Sequence, residues 1–283
     1  MKSPLVSVII PSFNRPQIVQ RAIQSVLNQT YKNFELIVVD DGSTEEYDIK
    51  LPAWYYKPWA ENRGGSAARN FGLTKAHGQY IAYLDDDNEL HPEFLHKTVH
   101  ALHKNNADAV QTYRKIVYDH GEQIAEPTQT KYPAIDWGWL IKREVFDEIK
   151  YDESIWGDED ADLGIQFSRR FTYAIIPEVL QTAYALREQD ANANTYPTQR
   201  RLRGLRNFLD KNLHEYGERG DRRYILRLAG RNFLRAGRYW TAISYFWQSL
   251  MAQKNYKTFK HLFFALLGWK AYNWYMDYYE SKI

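Results

Sequence analysis

Phe34-Glu35-Leu36-Ile37-Val38-Val39-Asp40-Asp41-Gly42-Ser43 is an apolar, β-branched run that stops on two acids and a turn-forming pair. A run too short for a globular helix and closed by turn residues reads as a strand buried on both faces. Upstream, Val6-Ser7-Val8-Ile9-Ile10 has the same texture and is closed by Pro11. Between them Ile18, Val19, Ala22, Ile23, Val26 and Leu27 recur at helical spacing over 16–28, with Pro16 suited to a first turn. Strand, helix and strand within about 35 residues make a βαβ unit, which implies parallel strands.

Downstream the pattern repeats. Residues 66–76 read as a helix, and Tyr80-Ile81-Ala82-Tyr83-Leu84 as a third strand that ends in Asp85-Asp86-Asp87-Asn88. Pro92 opens another helix, residues 106–150 predict further strands and loops, and 158–170 predict a helix. Two strands therefore end at their C-terminal tips in acids, and the crevice outside such tips is where open α/β sheets bind ligands. The expected class is α/β, with a Rossmann-like, mixed and mostly parallel sheet.

Composition narrows the setting. The 283 residues are 44% hydrophobic and 25% charged, as in an ordinary globular chain. The absence of cysteine excludes disulfides and thiolate zinc sites, and permits a reducing, cytoplasmic location. The chain runs from Met1 straight into its first strand, so no signal peptide is expected, and no apolar run reaches the roughly 18 residues of a membrane span. Charge is unevenly placed: residues 200–283 hold 17 Lys/Arg against 6 Asp/Glu, a net +11 in a chain whose total is +2. An acidic body with a basic tail predicts two parts, 1–199 and 200–283, doing different jobs. Nucleic acid fits poorly, because the body is acidic and the tail carries no recognised reading module.

Asp85-Asp86-Asp87 is the strongest chemical signal. In an extended chain Asp85 and Asp87 share one side, and three adjacent carboxylates repel unless a cation or donor network compensates. Oxygen ligands with few partners suit Mg²⁺ or Mn²⁺, which complete their shells with phosphate and water. The alternative is a polar strand end. Asp40-Asp41-Gly42-Ser43 reads either as a turn or as a carboxylate placed to accept from a nucleobase or ribose. Phe13 could stack on a base or pack into the core. Asn62-Arg63-Gly64-Gly65-Ser66-Ala67-Ala68-Arg69-Asn70 is a small-residue loop entering a helix, suited to a diphosphate. It has neither GxGxxG nor GxxxxGK[ST] spacing, which excludes dinucleotide-fingerprint and P-loop readings. Glu159-Asp160-Ala161-Asp162 opens the predicted helix at 158–170, as helix-dipole partners or as a general base for an attacking hydroxyl.

Taken in order, Pro11-Ser12-Phe13-Asn14-Arg15, Asp40-Asp41-Gly42-Ser43, Asn62 to Asn70, Leu84 to Asn88 and Glu159-Asp160 resemble the motif series of family 2 glycosyltransferases, over roughly residues 4–190. The resemblance implies a GT-A fold, a nucleotide diphosphate sugar as donor (a UDP-sugar foremost), a divalent metal and inversion at the anomeric carbon. It implies that Asp41 holds the base, with Pro11 and Phe13 lining its pocket and Asn14, Arg15 and Asn62 beside the nucleotide. Asp85 and Asp86 fall near the ribose or donor sugar, Asp87 binds Mn²⁺ or Mg²⁺, and Arg69 lies near the diphosphate or the acids. Asp160 is then the base, supported by Glu159, and the acceptor is a glycan or a lipid-linked sugar in cell-surface polysaccharide or glycoconjugate assembly. One departure concerns the metal: many relatives carry a His after the last core strand, whereas Tyr184 to Asp190 contains none. Two competing readings are a sugar nucleotidyltransferase, whose GxGxRL-type loop is replaced here by Pro11 to Arg15, and a non-catalytic nucleotide-sugar-binding protein.

Other features invite weaker readings. His96, His100 and His103 share a helix face that is more readily a solvated one than a metal stripe. Trp137 and Trp139 read equally as acceptor-stacking or core residues. From residue 198 the texture becomes helical, over 198–215, 221–235, 239–252 and 256–279, with Gly237 at a turn. Leu228 to Ala242 resembles a single tetratricopeptide-type hairpin without a second copy. Arg223, Arg227, Arg231 and Arg235 form a basic stripe, followed by an aromatic tail mixed with lysines. Such helices suit the anionic inner face of a membrane, and equally a second subunit in a homo-oligomer or the body of the chain itself.

Overall fold

β1 (Val6–Ser12) lies parallel between β2 (Phe34–Asp40) and β4 (Tyr80–Tyr83), with Ser12 opposite Asp40 and Ile9 opposite Tyr83. The computed structural model describes residues 3–47, 54–118, 121–127, 133–135, 137–184, 198–215, 219–235, 237–252 and 256–267. These divide into two compact units, Met1–Glu153 with Glu159–Thr195, and Ser154–Asp158 with Tyr196–Ile283.

In the first unit β1, β2 and β4 are largely apolar because both faces of the sheet are covered there. Val8, Ile10, Leu36, Val38 and Ala82 point to one face, under α1 (Val19–Leu27) and α3 (Phe94–Asn105). Ile9, Ile37, Val39 and Ile81 point to the other, under α2 (Gly65–Lys75). α2 sits close to the sheet because Gly72 has no side chain: a Cβ there would lie 2.5 Å from Ile9 Cγ2.

The sheet continues from β4 through β8 (Trp139–Lys142), β6 (Ala109–Tyr118) and β9 (Tyr173–Tyr184) to β5 (Asn88–Leu90). β8 runs antiparallel to both its neighbours, β6 and β9 are parallel, and β5 is antiparallel. β7 (Gly121–Ala125) forms a hairpin with β6, and β3 (Trp54–Tyr56) adds a parallel edge beside β2. The expected mixed, mostly parallel arrangement is present. β3 and β5 are absent from the sequence expectation, because three residues are too few to show a period. The order of strands reverses at β1, so the tips of β1, β2 and β4 flank the switch point where a crevice opens.

The second unit is helical: α6 (Thr198–Glu215), α7 (Arg219–Arg235), α8 (Tyr239–Ala252) and α9 (Tyr256–Leu266). Gly237, at φ +70°, makes the turn between α7 and α8. Phe233 stacks on Tyr245 at 5.1 Å, and Gly230 admits the Phe246 ring against α7. α9 returns along α8, with Tyr239 Oη bonded to the Ala265 carbonyl and Phe246 stacked on His261. The segment 154–158 belongs to this unit. Trp156 packs against Gly204 and beneath the Arg200 guanidinium, and Asn232 Nδ2 donates to Asp158 Oδ1. The helix expected over 256–279 ends at Leu266, and residues 268–279 lie outside the described ones. Among the described residues no helix is long and apolar enough to cross a membrane.

Candidate active site

The acids at the strand tips do not stand alone. Asp86, buried between its neighbours, accepts from Arg15 Nη1 at 2.9 Å and from Ser12 Oγ at 2.7 Å. The same Arg15 nitrogen reaches Asp87 Oδ2 at 3.1 Å. Asp85 pairs with Arg69 Nη2 at 2.7 Å. The chain turns at 85–88, with Asn88 N donating to the Asp85 carbonyl, where the sequence suggested an extended run. Asp85 and Asp87 are nevertheless the two partly exposed acids, as alternation predicted. Burial together with the charges of Asp85 and Asp86 pushes the Asp87 carboxyl up to about 6, against the pull of Arg15.

Arg21 braces this turn from α1. Its Nη2 donates to the Asp87 carbonyl at 2.9 Å, its Nε pairs with Glu89 at 3.1 Å, and its guanidinium lies 3.7 Å from the Tyr184 ring centroid. Nothing in the motif series singled out Arg21, because its partners Asp87, Glu89 and Tyr184 are distant in sequence.

Asp41 sits at the tip of β2 and is 3% exposed. Its carboxylate accepts from Trp59 Nε1 (2.7 Å), Asn62 Nδ2 (2.8 Å), Arg63 N (2.9 Å) and Gly64 N (2.7 Å). The anion at the N-terminus of α2 is thus this carboxylate, where the sequence suggested a diphosphate. Burial raises its carboxyl above the usual range despite those donors. Asn62 is spent in the same network. Asn14, in the left-handed region at φ 52°, receives Thr44 N at Oδ1 and donates its own N–H to Ser43, which ties the loops after β1 and β2 together. Asp40 is held by Tyr55 and the Ser43 amide. Phe13 and Pro11 are half-buried beside this cradle. Removing four bonded acceptor positions from a buried site is costly, so Asp41→Ala should lower the unfolding free energy by about 3 kcal/mol in urea titrations.

The second acidic group arrives on α5 (Glu159–Phe167), with Glu159 buried and Asp160 half-buried in its first turn. Arg69 connects it to the strand tips. The charges of Asp85, Asp160 and Glu159 all hold the buried guanidinium in its protonated form, and its face lies 5.3 Å from the Tyr151 ring. α5 is seated by Gly164, whose missing side chain leaves room for the Pro133 carbonyl, and by Ile135 N donating to the Asp160 carbonyl. In an exposed helix Gly→Ala is stabilising. Here an added methyl would overlap the backbone of 133–134. Gly164→Ala should therefore cost about 3 kcal/mol by denaturant unfolding and displace Asp160.

Among the described residues no three His, Cys, Asp or Glu side chains gather into a group able to hold a metal by themselves. Asp85 and Asp87 are both crowded and partly exposed, and Asp87 is the one that the motif series assigned to a metal. Of the other candidates, His96 and His100 are solvated, His103 lies edge-on to Tyr80, and Trp139 is core against Phe167 and Tyr173. Trp137 is buried under the Arg114 guanidinium at 4.4 Å.

Parallel strands ending in acids at a switch point, an antiparallel continuation of the sheet and an acid-bearing helix brought against the tips define a GT-A glycosyltransferase. The glycosyl transferase family 2 model matches residues 7–156, more than half of the chain, and the chain belongs to that family. The fold is also that of Staphylococcus aureus TarS 1–349 in complex with UDP-GlcNAc, at TM-score 0.66 and 15% identity over 98% of this chain and 92% of that one. In sequence the chain is 34% identical over 160 residues to an uncharacterized glycosyltransferase of Haemophilus influenzae, covering 52% of this chain and 60% of that protein. It is 27% identical over 189 residues to glycosyltransferase GlyA of Streptococcus pneumoniae, covering 54% and 27%. The chain thus spans less than two thirds of the length of these curated relatives.

Proposed function

We propose that the first unit transfers a sugar from a UDP-sugar to a hydroxyl of a glycan or lipid-linked acceptor, inverting the anomeric carbon. The observation that carries the reading is a charge network. The charges of Asp160 and Glu159 act on the Arg69 guanidinium, Arg69 pairs with Asp85, and Arg15 bridges Asp86 and Asp87, so that four separate stretches of chain contribute. The UDP-GlcNAc bound by TarS on the same fold supports the choice of donor.

In this mechanism Asp160 takes the proton from the acceptor hydroxyl as its oxygen forms a bond to C1 of the sugar. The bond from C1 to the diphosphate breaks, and its electron pair leaves with the nucleoside diphosphate. Arg69, held by acids on both sides, orients Asp160 towards the strand tips. Phe13 offers an aromatic face to the base, and the cradle around Asp41 fixes the loop that borders it. Asp87 would hold Mn²⁺ or Mg²⁺, and such an ion would supply positive charge to offset the charge that develops on the diphosphate.

A thermal-shift panel of UDP-, GDP-, dTDP- and CMP-sugars with and without Mn²⁺ tests the reading. A UDP-sugar with Mn²⁺ should raise the melting temperature by about 4 °C or more at saturating concentration, and the others by less. Slow hydrolysis of the same donor without acceptor marks an enzyme, and its absence marks a binding protein. No shift with any donor overturns the proposal.

A further inference from the structure

The second unit has a feature that sugar transfer does not use. From Arg222 to Met276 the sequence contains ten Lys/Arg and no Asp or Glu. Within that stretch α8 and α9 each bury one side and expose another. Ala242, Phe246 and Ser249 of α8, and Leu262 and Ala265 of α9, are enclosed in the bundle. The exposed set is Trp240, Trp247 and Met251 on α8, spaced seven and four residues apart, and Phe259, Phe263 and Leu266 on α9, spaced four and three. Both spacings gather their residues on one helix face. Trp240 is 78% exposed and Met251 68%, which for side chains of this size marks an interaction surface rather than an incidental one.

We propose that this unit docks on the surface of an anionic lipid bilayer, with the exposed aromatic and aliphatic residues of α8 and α9 in the headgroup–acyl boundary. Charge selects the occupant. A second copy docked through the same face would bring two acid-free, basic stretches together, and like charges oppose that symmetric contact. An anionic surface attracts a stretch of that composition. Exposed Trp on an uncharged helix within a basic unit suits the interfacial region, where an aromatic body is buried while its N–H stays hydrated. No described helix is long and apolar enough to span, so the contact is with the surface. The surface stands on the second unit alone and does not depend on the reaction assigned to the first.

Full-length protein sedimented with vesicles tests this. Binding to phosphatidylcholine vesicles containing about 30% phosphatidylglycerol should be at least about tenfold tighter than to phosphatidylcholine alone, and should fall steeply at about 0.5 M salt. Trp240→Ser with Trp247→Ser should weaken binding about tenfold or more while leaving the melting temperature unchanged, because both side chains lie outside the bundle. Equal, weak binding to both vesicle types overturns the proposal. So does self-association that the double substitution abolishes, since the face would then be covered by a second copy. Donor binding is expected to be unaffected in every arm, so loss of vesicle binding leaves the catalytic reading standing.

Discussion

Asp160→Asn lowers the rate of transfer by about a thousandfold and leaves donor affinity within about twofold of the wild type. Asn keeps the size and one acceptor oxygen of Asp but cannot take the proton of an attacking hydroxyl, and removal of a general base typically costs about 10²–10⁴ in rate. The donor side of the site should survive, because Arg69 keeps its 2.7 Å ion pair with Asp85 and the charge of Glu159. An interaction needed only as the acceptor oxygen becomes nucleophilic appears in kcat and not in ground-state binding. Measurement of released UDP at saturating donor and acceptor, with calorimetric titration of the donor, separates the two. Wild-type turnover in the variant would remove Asp160 from the role.

Asp87→Asn stabilises the ligand-free protein at pH 7.5 by about 2 kcal/mol and at the same time abolishes the Mn²⁺-dependent part of donor binding. The Asp87 carboxyl is pushed up to about 6 in the folded chain, by burial first and then by Asp85 and Asp86. In the unfolded chain it titrates near 3.9. The folded state therefore holds the proton more tightly. The stability that protonation contributes is fully present below about pH 4 and is lost as pH rises through about 6. Above that range an ionised Asp87 strains the cluster and a neutral isostere does not. The advantage of the variant should accordingly be full at pH 7.5 and small at pH 4.5 in urea unfolding. A variant less stable than the wild type at pH 7.5 would mean that Arg15 more than compensates the crowding. Strain of this kind is the expected cost of holding acids together for a ligand.

Much of the frame was legible before the fold was seen. Val6–Ile10 and Phe34–Val39 read as buried strands because they are short β-branched runs closed by Pro or Asp, and Tyr80–Leu84 read as a strand that ends in the same way on acids. Helix bounds came within a few residues in α1, read over 16–28, and in α2, read over 66–76, whereas for α3 only the start at Pro92 was readable. What stayed hidden depends on contacts distant in sequence. The 12-residue β9 pairs with β6 through register shifts near Thr112 and Tyr113, which no local pattern announces. The segment 154–158 carries Asp158 beside the acids of α5, yet it packs with the helical unit through Gly204 and Asn232.

In the site, residue types were legible and their partners were not. Asp41 was readable as a carboxylate at a strand tip. That Trp59, Asn62, Arg63 and Gly64 already donate to it follows only from the loop folding back, which Gly42 at φ +77° permits. Arg15 stood in the motif series beside the nucleotide, whereas it is 3% exposed and bridges Asp86 and Asp87. Arg69 was placed near the diphosphate or the acids, and the acids are what it touches.

Acids at the tip of β4 and on α5 are proposed to serve one bound nucleotide sugar. A crystal structure of the full chain with UDP and Mn²⁺ tests it most directly. The account predicts density for Mn²⁺ between an Asp87 oxygen and the diphosphate, with the base against Phe13 and the Asp160 carboxylate facing the open side of the terminal phosphate. UDP bound with its diphosphate away from Asp87, or with Asp160 turned into a different cavity, would contradict it.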